Sequence, residues 1–86
     1  MEFVKFEKSN NKNKKYKAIL KDDKGSFKSV HFGDTRYQQY KDTTGLGEYT
    51  HLDHNDDKRR RLYKSRHEKT RHNKHSASWF SDNYLW

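Results

Sequence analysis

The sequence predicts an α+β fold: a small three-stranded antiparallel β-meander packed with one amphipathic basic helix from the C-terminal half, and an aromatic tail. Three observations predict it. Tyr16, Ala18 and Leu20 alternate with Lys15, Lys17, Ile19 and Lys21, which is the two-residue period of a half-buried strand. Asp22-Asp23-Lys24-Gly25 supplies hairpin chemistry directly after it, with a glycine suited to positive φ. Asp53, Asn55 and Asp56, all capable helix N-caps, stand before a cationic run that carries Leu62 and Tyr63.

Taken in order, Phe3-Val4-Lys5-Phe6 is a short aromatic and β-branched run, and Ser9-Asn10-Asn11-Lys12-Asn13 is a polar turn. The second strand starts near Tyr16, and Phe27 to Phe32 returns as the third, closed by Gly33-Asp34. Residues 1–33 thus form the meander. Residues 34–54 have no clear period and read as an irregular excursion with one helical turn around Arg36 to Tyr40. Residues 55–69 read as the helix, with Asp56 and Asp57 at its positive end. Arg59, Leu62, Tyr63, Arg66 and His67 share one face by three- and four-residue spacing. Residues 70–86 read as a basic loop, Arg71 to His75, and a terminal aromatic lock, Trp79-Phe80 with Tyr84-Leu85-Trp86. The expected packing joins helix to sheet through Tyr63, Leu62, Phe32 and Trp79.

Eighty-six residues allow a single domain, 1–86, with one core. A chain of this size buries only about 60 to 65% of its unfolded surface. Hydrophobic residues make up 28% and charged residues 37%, close to the balance at which chains stay disordered alone. Five Phe, six Tyr and two Trp argue the other way, because each ring buries a large area. The absence of cysteine removes disulfides and thiolate metal sites as staples. No run reaches the roughly 18 apolar residues of a transmembrane helix, and Met1 to Lys8 lacks the apolar stretch of a signal peptide, so no membrane insertion or secretion is expected.

Charge is segregated. Residues 1–21 balance to +5, residues 22–57 to −4 and residues 58–75 to +8, within a total of +8. Mixing both signs everywhere would flatten the potential within a Debye length of about 8 Å, so segregation of this kind suits a directed binding face. Lys58, Arg59, Arg60, Arg61, Lys64, Arg66, Lys69, Arg71 and Lys74 are the candidate binding residues, able to neutralise several phosphates on one surface. No Asn or Gln stands on the helix to address adenine, so the expected contact is to the backbone and independent of sequence. The competing use of these cations is internal: Arg59 and Arg66 as partners of Asp22, Asp34, Asp42 or Glu48. Arg60, Arg61 and Lys64 are expected to point away from the packing face.

Several patterns have duller readings that suffice. His51, His54, His67, His72 and His75 invite a zinc site, but structural zinc usually draws on cysteine, and His72 and His75 lie in a stretch that repels cations. His51 and His54 are expected to order the loop before the helix, and His67 to pack on its aromatic face. Asp53, His54, Asp56 and Asp57 could serve a metal-dependent nuclease, yet capping and the helix dipole account for such carboxylates. Gly45-Leu46-Gly47 lacks the Gly-Lys-Ser/Thr of a phosphate loop and suits a turn. No cofactor, metal site or catalytic residue is expected.

Lys15-Tyr16-Lys17-Ala18, Val30-His31-Phe32-Gly33, Tyr49-Thr50-His51, Asp53-His54, Arg59-Arg60, Tyr63, Arg66-His67 and Leu85-Trp86 stand in an arrangement that resembles an uncharacterised family of short basic proteins of large double-stranded DNA viruses, the nucleocytoplasmic type. The likeness spans residues 15–86. It implies no activity, but a viral setting, in the virion or the infected host cell interior. The expected function is a non-enzymatic viral structural or accessory protein that binds DNA or another polyanion through the basic helix. The alternative is a minor capsid or cement protein linking viral capsid proteins.

Overall fold

A computed structural model describes residues 1–86. Three antiparallel strands, β1 (Glu2–Lys8), β2 (Lys14–Lys21) and β3 (Phe27–Asp34), form one sheet in the order β1-β2-β3. The hairpin between β2 and β3 is built as its residues suggest. Asp22 Oδ1 accepts from the main-chain N–H of Lys24 and of Ser26, each at 2.9 Å, and Gly25 turns the chain at φ +83°. The β1–β2 register slips between Phe3 and Lys5, a bulge that brings Phe3 and Phe6 to the side of the sheet where the core lies.

That core is one-sided. Tyr16, Ala18 and Leu20 of β2 and Phe32 of β3 are buried with Phe80 and Leu85 from the C-terminal region. The C-terminal aromatic residues do lock the fold, but they do so as a second helix rather than a tail. After a short helix α1 (Asp57–Arg66), the chain turns through residues 67–76 and forms α2 (Ala77–Tyr84), which lies across the sheet at β3. Ser76 caps it by accepting from Trp79 N–H at 3.1 Å. Spacing of four residues then puts Phe80 and Tyr84 on one side, where Phe80 stacks on Phe32 with ring centroids 5.5 Å apart.

The excursion between sheet and helices is irregular, as expected, but it is ordered by a buried polar hub. Gln39 is fully buried, accepts from Lys15 Nζ, and donates from Nε2 to Tyr49 O and Asp53 Oδ1, both at 2.7 Å. Asp42 accepts from the Tyr16 hydroxyl, which in turn accepts from Glu48 N–H at 3.0 Å. The helical turn expected around Arg36 to Tyr40 is absent because Gln39 is extended and bridges Asp53; the one short 3-10 turn falls at Thr50–Leu52 instead. The Lys41 and Thr43 N–H groups donate to the main-chain oxygens of Leu85 and Tyr84, at 3.0 and 2.8 Å, tying the excursion to the end of α2.

Three further expectations are corrected. Helix α1 covers 57–66 rather than 55–69, because Asn55 takes φ +53° and Asp56 is the residue that caps. It does not lie on the sheet; α2 occupies that position. Its inward side is also not the expected one, since Leu62 is 55% exposed and no residue of α1 is buried. Trp79 packs against the core from α2, Phe32 sits within it, and Tyr63 meets Trp86 rather than a strand.

Candidate nucleic-acid interface

Helix α1 is set by its acidic start. The Asp56 carboxylate accepts from Lys58 N–H at 3.0 Å and Arg59 N–H at 3.2 Å, which holds it below the usual carboxylate range. Asp57 adds a second negative charge to the first turn and accepts from the Tyr40 hydroxyl at 2.9 Å. Before the cap, His54 Nδ1 accepts from Asp56 N–H at 2.9 Å, so the loop into the helix is ordered by this histidine. The residues that a nuclease reading would recruit are thus engaged by the fold: Asp53 binds Gln39 Nε2 and Asp42 N–H, and Asp56, Asp57 and His54 shape the helix start. No three His, Asp or Glu side chains converge on one point. Gly45 and Gly47 both adopt positive φ in an exposed turn.

The side chains of the helix and the loop after it divide into two sets, one facing the protein and one facing solvent. Tyr63, Arg60, Lys64 and His67 face the protein. Tyr63 stacks on Trp86 with centroids 4.2 Å apart and planes 2° from parallel, and His67 continues the stack on Tyr63 at 4.1 Å. Arg60 donates to the Trp86 main-chain oxygen at 2.6 Å and lies over the Tyr40 ring at 4.8 Å. Lys64 pairs at 2.8 Å with Asp82, a buried carboxylate on α2 that Arg71 also approaches at 3.5 Å. The expectation that Arg60 and Lys64 point to solvent is therefore corrected. The surface α1 rests on is polar, offering a carboxylate and a carbonyl, so cations rather than Leu62 fit against it. Asp82 draws in Lys64 and Arg71, while Arg59 and Arg66 pair with none of Asp22, Asp34, Asp42 and Glu48, which corrects the expected internal use of those two arginines.

Of the nine candidate binding residues, Lys58, Arg61, Arg66, Lys69 and Lys74 are exposed and have no ion pair or side-chain hydrogen bond. Arg59 bonds only to the neutral Gln38 Oε1 at 2.9 Å, so its charge is uncompensated. Lys64 and Arg71 are half-buried and paired, and Arg60, though exposed, is engaged by Trp86 and Tyr40; Arg71 also pairs with Glu68 at 2.9 Å. Of the free set, Lys58 and Arg61 lie on the outer side of α1, Arg66 at its end beside Arg59, and Lys69 and Lys74 in the turn after it.

Beside α1 opens a cleft of about 690 Å³ that sequence reasoning missed. The start of β2, the end of β3 and the turn after it form one wall, with Lys14, Asp34, Tyr37 and Gln38; Arg59, Tyr63, Arg66 and His67 form the other, and the Arg59–Gln38 bond joins the two. Its floor includes Gly33, where a side chain would meet Leu85 Cδ1 at 2.9 Å and where φ is +78°, so glycine is required on both counts. Lys15 reaches the hub from beneath it, donating to Tyr37 O at 2.8 Å; burial lowers its amine to about 8, partly opposed by Asp34, Asp42 and Asp53. Asp34 is neutralised by Arg36 at 2.8 Å, and that bond lowers its carboxyl to about 2. The cleft is therefore cationic overall. Nothing in the spacing of Lys14, Tyr37 and Arg59 signals it, since they lie on three separate elements.

No helix is long and apolar enough to cross a membrane. Residues 4–44 match a family of unknown function (DUF5754), a stretch covering the meander and the start of the excursion and ending before α1. No curated protein and no solved structure matches the chain.

Proposed function

We propose that this chain is a non-enzymatic, sequence-independent binder of the DNA backbone, acting in a virion or infected cell as the resemblance of its residues to viral basic proteins suggests. The observation that carries the reading is the set of unpaired, exposed cations, Lys58, Arg61, Arg66, Lys69 and Lys74, with Arg59 beside them. A cation that the fold does not use internally keeps its full charge for a phosphate, and five such charges lie within residues 58–74, on α1 and the turn after it. The unpaired charges also repel one another in the free protein, which a polyanion relieves.

The test is the salt dependence of binding to random-sequence duplex DNA. Affinity should fall linearly on logarithmic axes, with a slope of about 0.9 per phosphate neutralised. Replacing Lys58, Arg61 and Lys69 by Gln should reduce that slope by roughly two to three units and leave the melting temperature unchanged, because none has an internal partner. A triple variant with the parent's slope rejects α1 as the binding face. A second reading has one observation in its favour: β1 and β3 each pair on one side only, leaving two sheet edges to which a strand of a shell protein could add. Absence of DNA binding by the parent at low salt would favour this second reading.

A further inference from the structure

The cleft between β3 and α1 has features that backbone binding does not call for. Tyr37 lines it as a residue that is 63% exposed, with the Arg36 guanidinium 5.4 Å from its ring centroid. On the facing wall, the column Trp86–Tyr63–His67 ends at His67, with no further ring stacked beyond it. Tyr37 and His67 thus both line one cationic cleft. Its volume of about 690 Å³ lies within the roughly 300–1,000 Å³ of sites that enclose a small molecule. A base with its sugar fits such a space, whereas a duplex, whose bases are already stacked, could only touch the rim. Lys14, Arg59 and Arg66 at the walls carry the charge, with Asp34 cancelled by Arg36. Gln38, Ser78 and Ser81 offer donors and acceptors that do not impose one base.

We infer that this cleft takes bases of an unpaired DNA strand while Arg59 and Arg66, the unpaired cations of α1 at its walls, hold its phosphates, so that the protein prefers single-stranded to duplex DNA. The inference rests on the backbone-binding reading above and adds the strand state. Stacking of bases on protein rings is tolerant of sequence because every base has a π-face, and it adds to the electrostatic attraction rather than replacing it.

The test is fluorescence anisotropy with a labelled oligothymidine of about 20 nucleotides and a duplex of the same length, at matched salt. The parent should bind the single strand about tenfold or more tighter. Tyr37→Ala should lose about tenfold in single-strand affinity while duplex affinity and the salt slope stay unchanged. The side chain is exposed and its link to Lys15 is through the main chain, so the fold is retained. Ala77→Trp, which places a ring in the cleft from the first turn of α2, should act in the same direction. Equal affinity of the parent for both forms, or an equal loss for both in Tyr37→Ala, overturns the cleft inference and leaves backbone binding standing. No binding of either form at low salt overturns both.

Discussion

Helix α2 carries a single charged residue, Asp82, and buries it together with Phe80; helix α1 carries six cations among its ten residues and buries nothing. The first is part of the core, because without it one face of the sheet would be bare. The second is attached at a few points: the Tyr63–Trp86 stack, the Arg60 bond to a carbonyl and the Lys64–Asp82 pair. In so small a domain, then, apolar burial is concentrated where the sheet needs it, and a helix can be kept almost wholly for charge if a neighbouring element supplies its counter-ion. Asp82 is that counter-ion, and it couples the two helices.

The sharpest way to break this contrast is Phe80→Ala. Removing a fully buried ring from a core this small should cost about 3 to 5 kcal/mol, enough to leave much of the population unfolded in urea titration or thermal melting. A loss below about 1 kcal/mol would mean that α2 is not the core helix. Next in size, Asp82→Ala should cost about 2 kcal/mol, because two cations lose their partner. Its effect should be local: amide exchange in α1 should accelerate while β2 stays protected. Uniform acceleration across sheet and helices would show that α1 is as integral as α2.

The smallest effect concerns pH. Burial is the main reason that the imidazoles of His54 and His75 lie below their ordinary value of 6.5, with Arg59 acting on His54 and Lys74 on His75 in the same direction, while Asp56 and Asp53 oppose it at His54. The unfolded chain therefore takes up protons first, so stability is full above about 6.5 and declines as pH falls below it. His54 has a specific reason to resist charging: its Nδ1 accepts from Asp56 N–H, and its buried Nε2 has no partner. Thermal melting between pH 7 and 5.5 should show a shallow fall that a His54→Gln, His75→Gln double variant flattens. A melting temperature that rises on acidification would refute the assignment.

The meander was legible because its signals are local: alternation over Tyr16 to Leu20, and an Asp-Gly turn whose bonds span only four residues. The start of α1 was legible only to within a few residues, since Asp53, Asn55 and Asp56 were all capable caps and only the bonds to Lys58 and Arg59 N–H single out Asp56. Helix α2 was concealed by its polar residues, although Ser76 as a cap and the Phe80–Tyr84 spacing were signals a closer reading could have used. The inward side of α1 was not legible at all. Choosing between Leu62 and Arg60 as the inward contact requires knowing that the opposing surface carries Asp82 and the Trp86 main-chain oxygen, and that is a property of the tertiary fold. The binding set suffered accordingly: free and internal cations alternate along 58–74, and only partners elsewhere in the chain distinguish them.

The two main-chain bonds from Lys41 and Thr43 to Leu85 and Tyr84 turn the intervening chain into a closed ring that contains α1. The entropy of closing such a ring grows only with the logarithm of its length, and each doubling costs about 0.6 kcal/mol. Residues added to the exposed turn after α1, around Asn73 and Lys74, therefore change the stability of the sheet very little, whereas the turn before α1 is fixed by the Asp53 and His54 bonds to the hub. The reach of the cationic arm and the number of charges on it can vary in length while the meander, α2 and their seam stay as they are.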